Sequence, residues 1–483
     1  MEKDLKNRAI TSTFWKLFER ILAQTVSLVV SIVIARILDP SDYFAVGVVT
    51  IFFTFANVFI SGGFNTALIQ KKNADKDDYS SALFISVLIS IIAYLLLFLG
   101  APYIATAYNQ PLLVSIIRVM GLTLPVTAIK SIWCAYISSN LQFKKFFFST
   151  LGGTLASAVV GIVMAVKGYG AWALVAQQMT NMICDTLILI ITTRIQLVFR
   201  ISFAKLKELF MYGWKIFVST LIGTIYAEVT PLIIGLRFNA TDLSFYTKGK
   251  SFPAILSSTA NNTLSAVLFP VLAKCQDDKE KVLKGTRLFM RLCSFIVFPV
   301  LLGFFAISNN FITIVLTAKW SESVYYIKLF CVVSMFDIVA IGNCETIKAI
   351  GRSDIYLILD IIKKGLYFAV LFIFIAFSSS PHIMALSAII CAIIQIVVNC
   401  VPNIKLIGYK LSCQIADLIP ALISSVLMCV MVSLIGRISV NIYCLTIIQI
   451  ILGAISYIMF SYIINRDVLN YAIHSVRDII QKK

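Results

Sequence analysis

More than a dozen apolar runs of about 20 residues follow one another along this chain. Each is long enough to cross a hydrocarbon core roughly 30 Å thick at 1.5 Å of rise per residue. In lipid every backbone N–H and C=O must find a partner inside the protein, so only helices and closed barrels span, and runs of this length specify helices. The chain therefore reads as an all-α polytopic membrane protein. Charge agrees: 13% of its 483 residues are charged and its mean hydropathy is +0.93, against about 25% charged residues in soluble domains. A soluble enzyme is excluded. Spans are expected near 12–37, 43–68, 79–104, 112–138, 145–166, 170–193, 209–235, 243–272, 288–312, 323–347, 355–377, 382–402, 412–436 and 442–465. Fourteen spans use roughly 280 positions and leave about 200 for thirteen loops and two tails, so no extramembrane catalytic domain fits. The segment MEKDLKNRAITSTFW lacks the apolar core and small-residue cleavage site of a signal peptide, so the first span is expected to be retained. The 11 cysteines are odd in number, lie mostly inside apolar runs and form no CxxC pair. They read as small core residues rather than bridges or ligands.

The loops test this span count, because cytoplasmic loops hold the Lys and Arg. One alternate set comprises the N-terminal segment, the loops near 71–76, 144–145, 194–207, 274–287, 348–352 and 405–410, and the tail from 466. It carries 25 bases, against five in the other set: Arg36, Lys167, Arg237, Lys319 and Arg437. A missed or invented span would invert every later loop, so the asymmetry supports fourteen spans with both termini cytoplasmic. The net charge of +18 is explained by orientation signals facing anionic lipid and requires no nucleic acid.

The chain also repeats itself. Span 1 carries Lys16, Arg20, Gln24, Ser27 and Ser31 on one helix face, and span 7 carries Lys215, Ser219, Gly223, Tyr226 and Thr230 at a shift of 199. Thr50, Asn57, Ser61 and Asn65 of span 2 are answered at a shift of 200 by Lys250, Ser257, Asn261 and Ser265 of span 8. Arg36 and Asp42 frame the first outer turn as Arg237 and Asp242 frame the second. A shift of six helices keeps orientation, which gives a parallel repeat about an axis along the membrane normal. The expected division is a six-helix lobe at 1–200, a second at 201–405, two additional helices at 406–465 and a cytoplasmic tail at 466–483.

Polar stripes on spanning helices must face protein or water. Span 6 adds Gln177, Asn181 and Asp185, echoed in span 12 by Gln395, Asn399 and Asn403. Interhelical hydrogen bonding is the ordinary use of such residues, but six faces repeated between halves favour a hydrated cavity between the lobes. Eleven bases fall inside spans and outnumber the acids there, and a basic cavity suits a phosphate-bearing cargo. Many of these bases lie near span ends, where long side chains snorkel. Arg20 and Lys250, charged members of polar stripes, are the first choices for the anion, with Lys215 following by symmetry. Lys16, Gln24, Asn57 and Asn261 complete the expected cargo contacts. Asp185 and Asp337 lie deepest, where a carboxylate is expensive and suggests ion or proton coupling, or else a structural ion pair.

No catalytic constellation stands out. His382 and His474 give no metal cluster, GxxxxGK[ST] is missing, and no cofactor is implied. Asp39-Pro40-Ser41-Asp42 could serve a membrane glycosyltransferase or polymerase, although a helix-capping turn explains it better.

The segments WKLFERILAQTVSLVVSIVIARILDPSDYFAVG, GGFNTALIQKK, YGAWALVAQQ, ELFMYGWKIFVSTLI, TDLSFYTKGKSFPAIL, LFPVLAKCQDD and KAIGRSDIYLILDIIKK together resemble the Wzx-type polysaccharide and oligosaccharide exporters, especially their colanic-acid-exporter-like branch. Their superfamily includes lipid II flippases and multidrug-and-toxin extruders. Phe44 and Ser244 stand where that family usually has a turn glycine. The resemblance implies two six-helix lobes, alternating access and a cargo of oligosaccharide on polyprenyl pyrophosphate. The expected role is export of that cargo across a bacterial inner membrane, alongside membrane lipids and possible partners in a polymerase and export machinery. The alternatives are a drug or small-molecule exporter of the same superfamily and the transferase reading of Asp39 and Asp42.

Overall fold

The computed structural model describes residues 2–481 apart from 72, 73, 196, 199, 200 and 439, and leaves the side chains of 2–14, 16–18, 20, 21, 240, 259–267, 269–271, 353, 472 and 475–481 undescribed. The described residues form α-helices, one short 3₁₀ turn at Ala318–Trp320 and no strand. They gather into two compact units, Met1–Ser244 and Phe245–Lys483.

The first unit holds α1 (Glu2–Ile37), α2 (Pro40–Ser61), α3 (Phe64–Gln70), α4 (Lys76–Ala107), α5 (Leu112–Gly121), α6 (Thr123–Ser139), α7 (Phe143–Val166), α8 (Ala171–Thr192) and α9 (Phe203–Arg237). α10 (Ala240–Ala273) begins there and continues into the second unit, which adds α11 (Lys279–Val315), α12 (Ser323–Ala349), α13 (Ser353–Phe377), α14 (Pro381–Ile407), α15 (Leu411–Ile435), α16 (Ile442–Ile464) and α17 (Arg466–Gln481). Helix occupies every span expected from the sequence, with breaks inside the second and fourth windows. Eleven of the helical segments are long and apolar enough to cross a membrane. Inside α13 the charge of Asp360 and Lys364 is offset by their pairing, 2.8 Å apart one turn along the helix.

The outer turns that frame the repeat are built alike. The Asp42 carboxylate accepts the Asp39 N–H at 3.1 Å with Pro40 in the first helical turn, and the Asp242 carboxylate accepts the Asn239 N–H at 3.0 Å. Asp39 and Asp42 are thereby occupied as the capping box of α2.

α9 follows the repeat boundary at 200 yet packs with the first unit. At the α2–α3 break Gly62 and Gly63 take φ of 47° and 76°, and a Cβ on Gly63 would stand 2.1 Å from the Gly213 carbonyl oxygen of α9. Glycine is required there by conformation and by backbone approach, the small-residue contact that lets membrane helices touch. The segment before α9 is fastened as well: the Val198 and Ser202 N–H groups each donate to a serine of α4, Ser80 and Ser81, at 3.0 Å. In the second unit α15 lies along α11, and α16 packs on both, so the two helices beyond the repeat are part of that unit's core. The segment from 466, expected as a tail, carries α17, whose Val468 and Leu469 are buried.

Candidate functional site

The polar residues singled out by sequence fall into distinct environments. In the first unit, Lys130 of α6 meets the buried Asp185 of α8 at 2.5 Å. The second carboxylate oxygen of Asp185 has no hydrogen-bond partner. The stripe on α8 faces α7: Asn181 donates to Ser157 Oγ at 3.3 Å, a Cβ on Gly153 would come within 2.9 Å of Asp185 Cβ, and one on Gly161 within 3.0 Å of Gln177. Gly153, Ser157 and Gly161 form the complementary small face, so this stripe is used in helix packing rather than turned toward a cavity.

On α2 the hydroxyls of Thr50 and Ser61 bond back to Val46 and Val58 carbonyls at 2.7 and 3.1 Å. The side-chain carbonyls of Asn57 and, on α3, Asn65 are buried without a partner. Gln24 on α1 and Lys215 on α9 are exposed. The side chains of Lys16, Arg20 and Asn261 lie outside the described residues.

In the second unit Lys250 of α10 is half-buried, its Nζ 5.9 Å from the Phe330 ring centroid. The Asp337 carboxylate of α12 sits within electrostatic reach of that ammonium. The base expected to hold an anion and the acid expected to couple an ion thus act on each other, which separate consideration of α10 and α12 did not anticipate.

A second ionic centre was missed. Asp417 of α15 is buried and accepts Arg287 Nε at 2.7 Å and Nη2 at 2.9 Å, Arg291 Nε at 2.7 Å and the Tyr409 hydroxyl at 2.9 Å. The arginines, one turn apart on α11, remain about two-fifths exposed. Their i, i+4 spacing was the available signal; that their acid would come from a helix beyond the repeat was not readable. Beside this centre, Asn343, Asn403 and Gln414 form a fully buried amide cluster: Asn343 donates to Gln414 Oε1 at 2.9 Å and Asn403 to Asn343 Oδ1 at 2.7 Å.

Among the base-rich connections of the first unit, Lys71 bridges Asp78 at 3.0 Å and Glu208 at 2.8 Å, and Lys205 bridges Asp75 and Asp77. The Lys205 ammonium holds the Asp75 carboxyl down at about 2. These contacts tie α9 to α4. No group of three or more metal-ligating side chains occurs among the described residues.

Residues 33–325, more than half of the chain, match the family described as polysaccharide biosynthesis protein. The lipopolysaccharide biosynthesis protein WzxC of Escherichia coli K12 is 23% identical over 367 residues, 75% of this chain and 74% of that one. An uncharacterized membrane protein in the cps region of Klebsiella pneumoniae is 22% identical over 380 residues, 76% of each chain. Among solved structures, the lipid II flippase MurJ in an inward closed conformation superposes with a TM-score of 0.76 at 16% identity, covering 95% of this chain and all of that one; this likeness is one of fold. By the match over residues 33–325, the chain belongs to the polysaccharide biosynthesis protein family.

Proposed function

We propose that the chain is a flippase that moves a polyprenyl-pyrophosphate-linked oligosaccharide from the cytoplasmic to the outer face of a bacterial inner membrane, for surface polysaccharide biosynthesis. The observation that carries this reading is the family match on a chain in which no connection between helices exceeds ten residues. Connections this short leave no room between the helices for a separate catalytic domain, so what these helices contribute to polysaccharide assembly is the movement of an intermediate built elsewhere. The fold shared with a lipid II flippase and the relative named for lipopolysaccharide biosynthesis support the same role. Both termini are cytoplasmic, as the 25-to-5 loop asymmetry favours; labelling single cysteines at Ser41 from outside and Asp278 from inside checks this.

Two six-helix lobes, 1–200 and 201–405, alternate access while the prenyl tail stays in lipid. Lys250 holds the pyrophosphate together with Arg20, Lys16 and Lys215, and Gln24, Asn57 and Asn261 bond the sugar. Asn57 supports this with a side-chain carbonyl that has no partner in the described structure. Before cargo arrives, Asp337 neutralises Lys250, which keeps a base tolerable in a spanning helix. A pyrophosphate is the stronger partner and takes Lys250, leaving Asp337 to accept a proton or Na⁺. Cargo binding and ion coupling then share one switch. Asp185, already paired with Lys130, is a second coupling position only if that pair opens. A polymerase and export machinery receive the product. Deletion followed by mass analysis of the accumulated lipid-linked sugars tests the reading: an intact repeat unit on the cytoplasmic side is expected, and a truncated one would indicate a transferase.

A further inference from the structure

The second unit contains a cavity of about 280 Å³ between α11, α12, α15 and α16, lined by Phe305, Asn309, Asn310, Lys328, Arg437 and Gln449 among others. Two of its walls come from α15 and α16, the helices that lie beyond the repeat, so the first unit's six-helix pattern has no counterpart for it. Its floor is fixed. Asn310 Nδ2 donates to Gln449 Oε1 at 2.9 Å, and Gln449 Nε2 donates to the Val432 carbonyl at 2.9 Å. A Cβ on the lining Gly436 would stand 2.8 Å from that amide nitrogen.

Charge distinguishes the cavity from a packing defect. Lys328 is half-buried with its Nζ 5.5 Å from the Phe305 ring centroid, and Arg437 stands exposed at the mouth. Among the described residues no carboxylate lines the space. Along the chain, α15 has no acid after Asp417 and α16 has none at all. Arg437 is also one of only five bases on the side of the membrane that the loops otherwise deplete of bases, so orientation does not account for it. Two uncompensated cations around a rigid polar floor suit an anion, and a guanidinium opposite an ammonium suits phosphate oxygens, the first by its fork and the second as a point charge. The volume falls below the roughly 300–1,000 Å³ of sites that enclose whole drug-sized ligands, which fits a headgroup and not an oligosaccharide. Beside the mouth, Ile438, Val440, Tyr443 and Ile447 are each half or more exposed, an apolar track for hydrocarbon chains.

We infer that this cavity binds the phosphate of an anionic membrane lipid at the base-poor end of the second unit, between Lys328 and Arg437, with the lipid chains along the start of α16. The inference stands independently of the transport role. The phosphate could belong to a glycerophospholipid of that leaflet or to a polyprenyl phosphate, and the test separates the two.

The full-length protein is purified and titrated with phosphatidylglycerol, undecaprenyl phosphate or phosphatidylcholine, with bound lipid read by native mass spectrometry. At least about tenfold preference for the anionic lipids over phosphatidylcholine is expected, with a similar loss in Lys328→Met/Arg437→Gln, as for removal of one charge-assisted contact or more. Lys328→Arg/Arg437→Lys should keep affinity within about threefold of the wild type. The exposed single variant Arg437→Gln, which leaves the packed walls untouched, should weaken binding on its own if the double variant folds poorly. Tighter binding of phosphatidylglycerol assigns a glycerophospholipid, and tighter binding of undecaprenyl phosphate assigns the carrier. Equal binding of phosphatidylcholine, or wild-type affinity in Arg437→Gln and the double variant, would overturn the inference.

Discussion

The contact between α6 and α8 in the first unit and that between α12 and α14 in the second occupy related places in the repeat but use opposite chemistry. Asp185 and Asn403 close the corresponding stripes Gln177-Asn181-Asp185 and Gln395-Asn399-Asn403. Asp185 meets a lysine, Lys130, at 2.5 Å, whereas Asn403 meets an amide, Asn343, at 2.7 Å, within a cluster completed by Gln414. The neutral version demonstrates that this kind of helix crossing can be held without charge. A buried ion pair is weak evidence for stability, because desolvation offsets much of the Coulomb gain, but removing one partner strands the other. The first unit therefore holds its crossing with an arrangement whose strength depends on charge state, and the second with one that does not.

The largest effect should follow from breaking the charged contact. Asp185→Leu leaves Lys130 unpaired and is expected to destabilise the protein by about 3–5 kcal/mol, read as a fall in the unfolding midpoint of the purified protein, while adding Lys130→Met should recover most of the loss. Asn403→Leu should be milder, about 1–2 kcal/mol, because interhelical hydrogen bonds in membranes average well below buried ionic contacts and Asn343 keeps Gln414. Equal losses in Asp185→Leu and Asn403→Leu would mean that charge is not what separates the two crossings.

Much of the fold was legible because spanning helices must be long, apolar and internally hydrogen-bonded. The repeat aligned the outer turns framed by Arg36 and Asp42 and by Arg237 and Asp242, and Asp39-Asp42 read as a helix-capping turn; that Asn239 and Asp242 close the second turn in the same way is seen only in the structure. What was illegible depended on neighbours in space. The Gly62–Gly63 break sits inside the expected second span, and what makes glycine necessary there is the close backbone of Gly213, about 150 residues away. α17 lies in a charged tail that a search for long apolar runs passes over. For the site, periodicity identified which residues share a helix face but not what that face meets. The Gln177-Asn181-Asp185 stripe suited a cavity until Gly153, Ser157 and Gly161 of α7 proved to be its packing surface. Asp417 went uncounted because its importance comes from Arg287 and Arg291, some 130 residues earlier. Lys250 and Asp337 were each recognised, yet their electrostatic influence on each other required knowing how α10 and α12 pack.

The most direct test is translocation by the purified chain reconstituted into liposomes carrying a polyprenyl-pyrophosphate oligosaccharide in both leaflets, with a membrane-impermeant glycosidase outside to report exposure of the sugar. The account predicts that wild-type protein renders the inner-leaflet pool accessible and that Lys250→Gln, inserted to the same level, slows this by at least about tenfold, equivalent to one lost charge-assisted phosphate contact. An inner pool that stays protected with wild-type protein under both a proton and a Na⁺ gradient would contradict it.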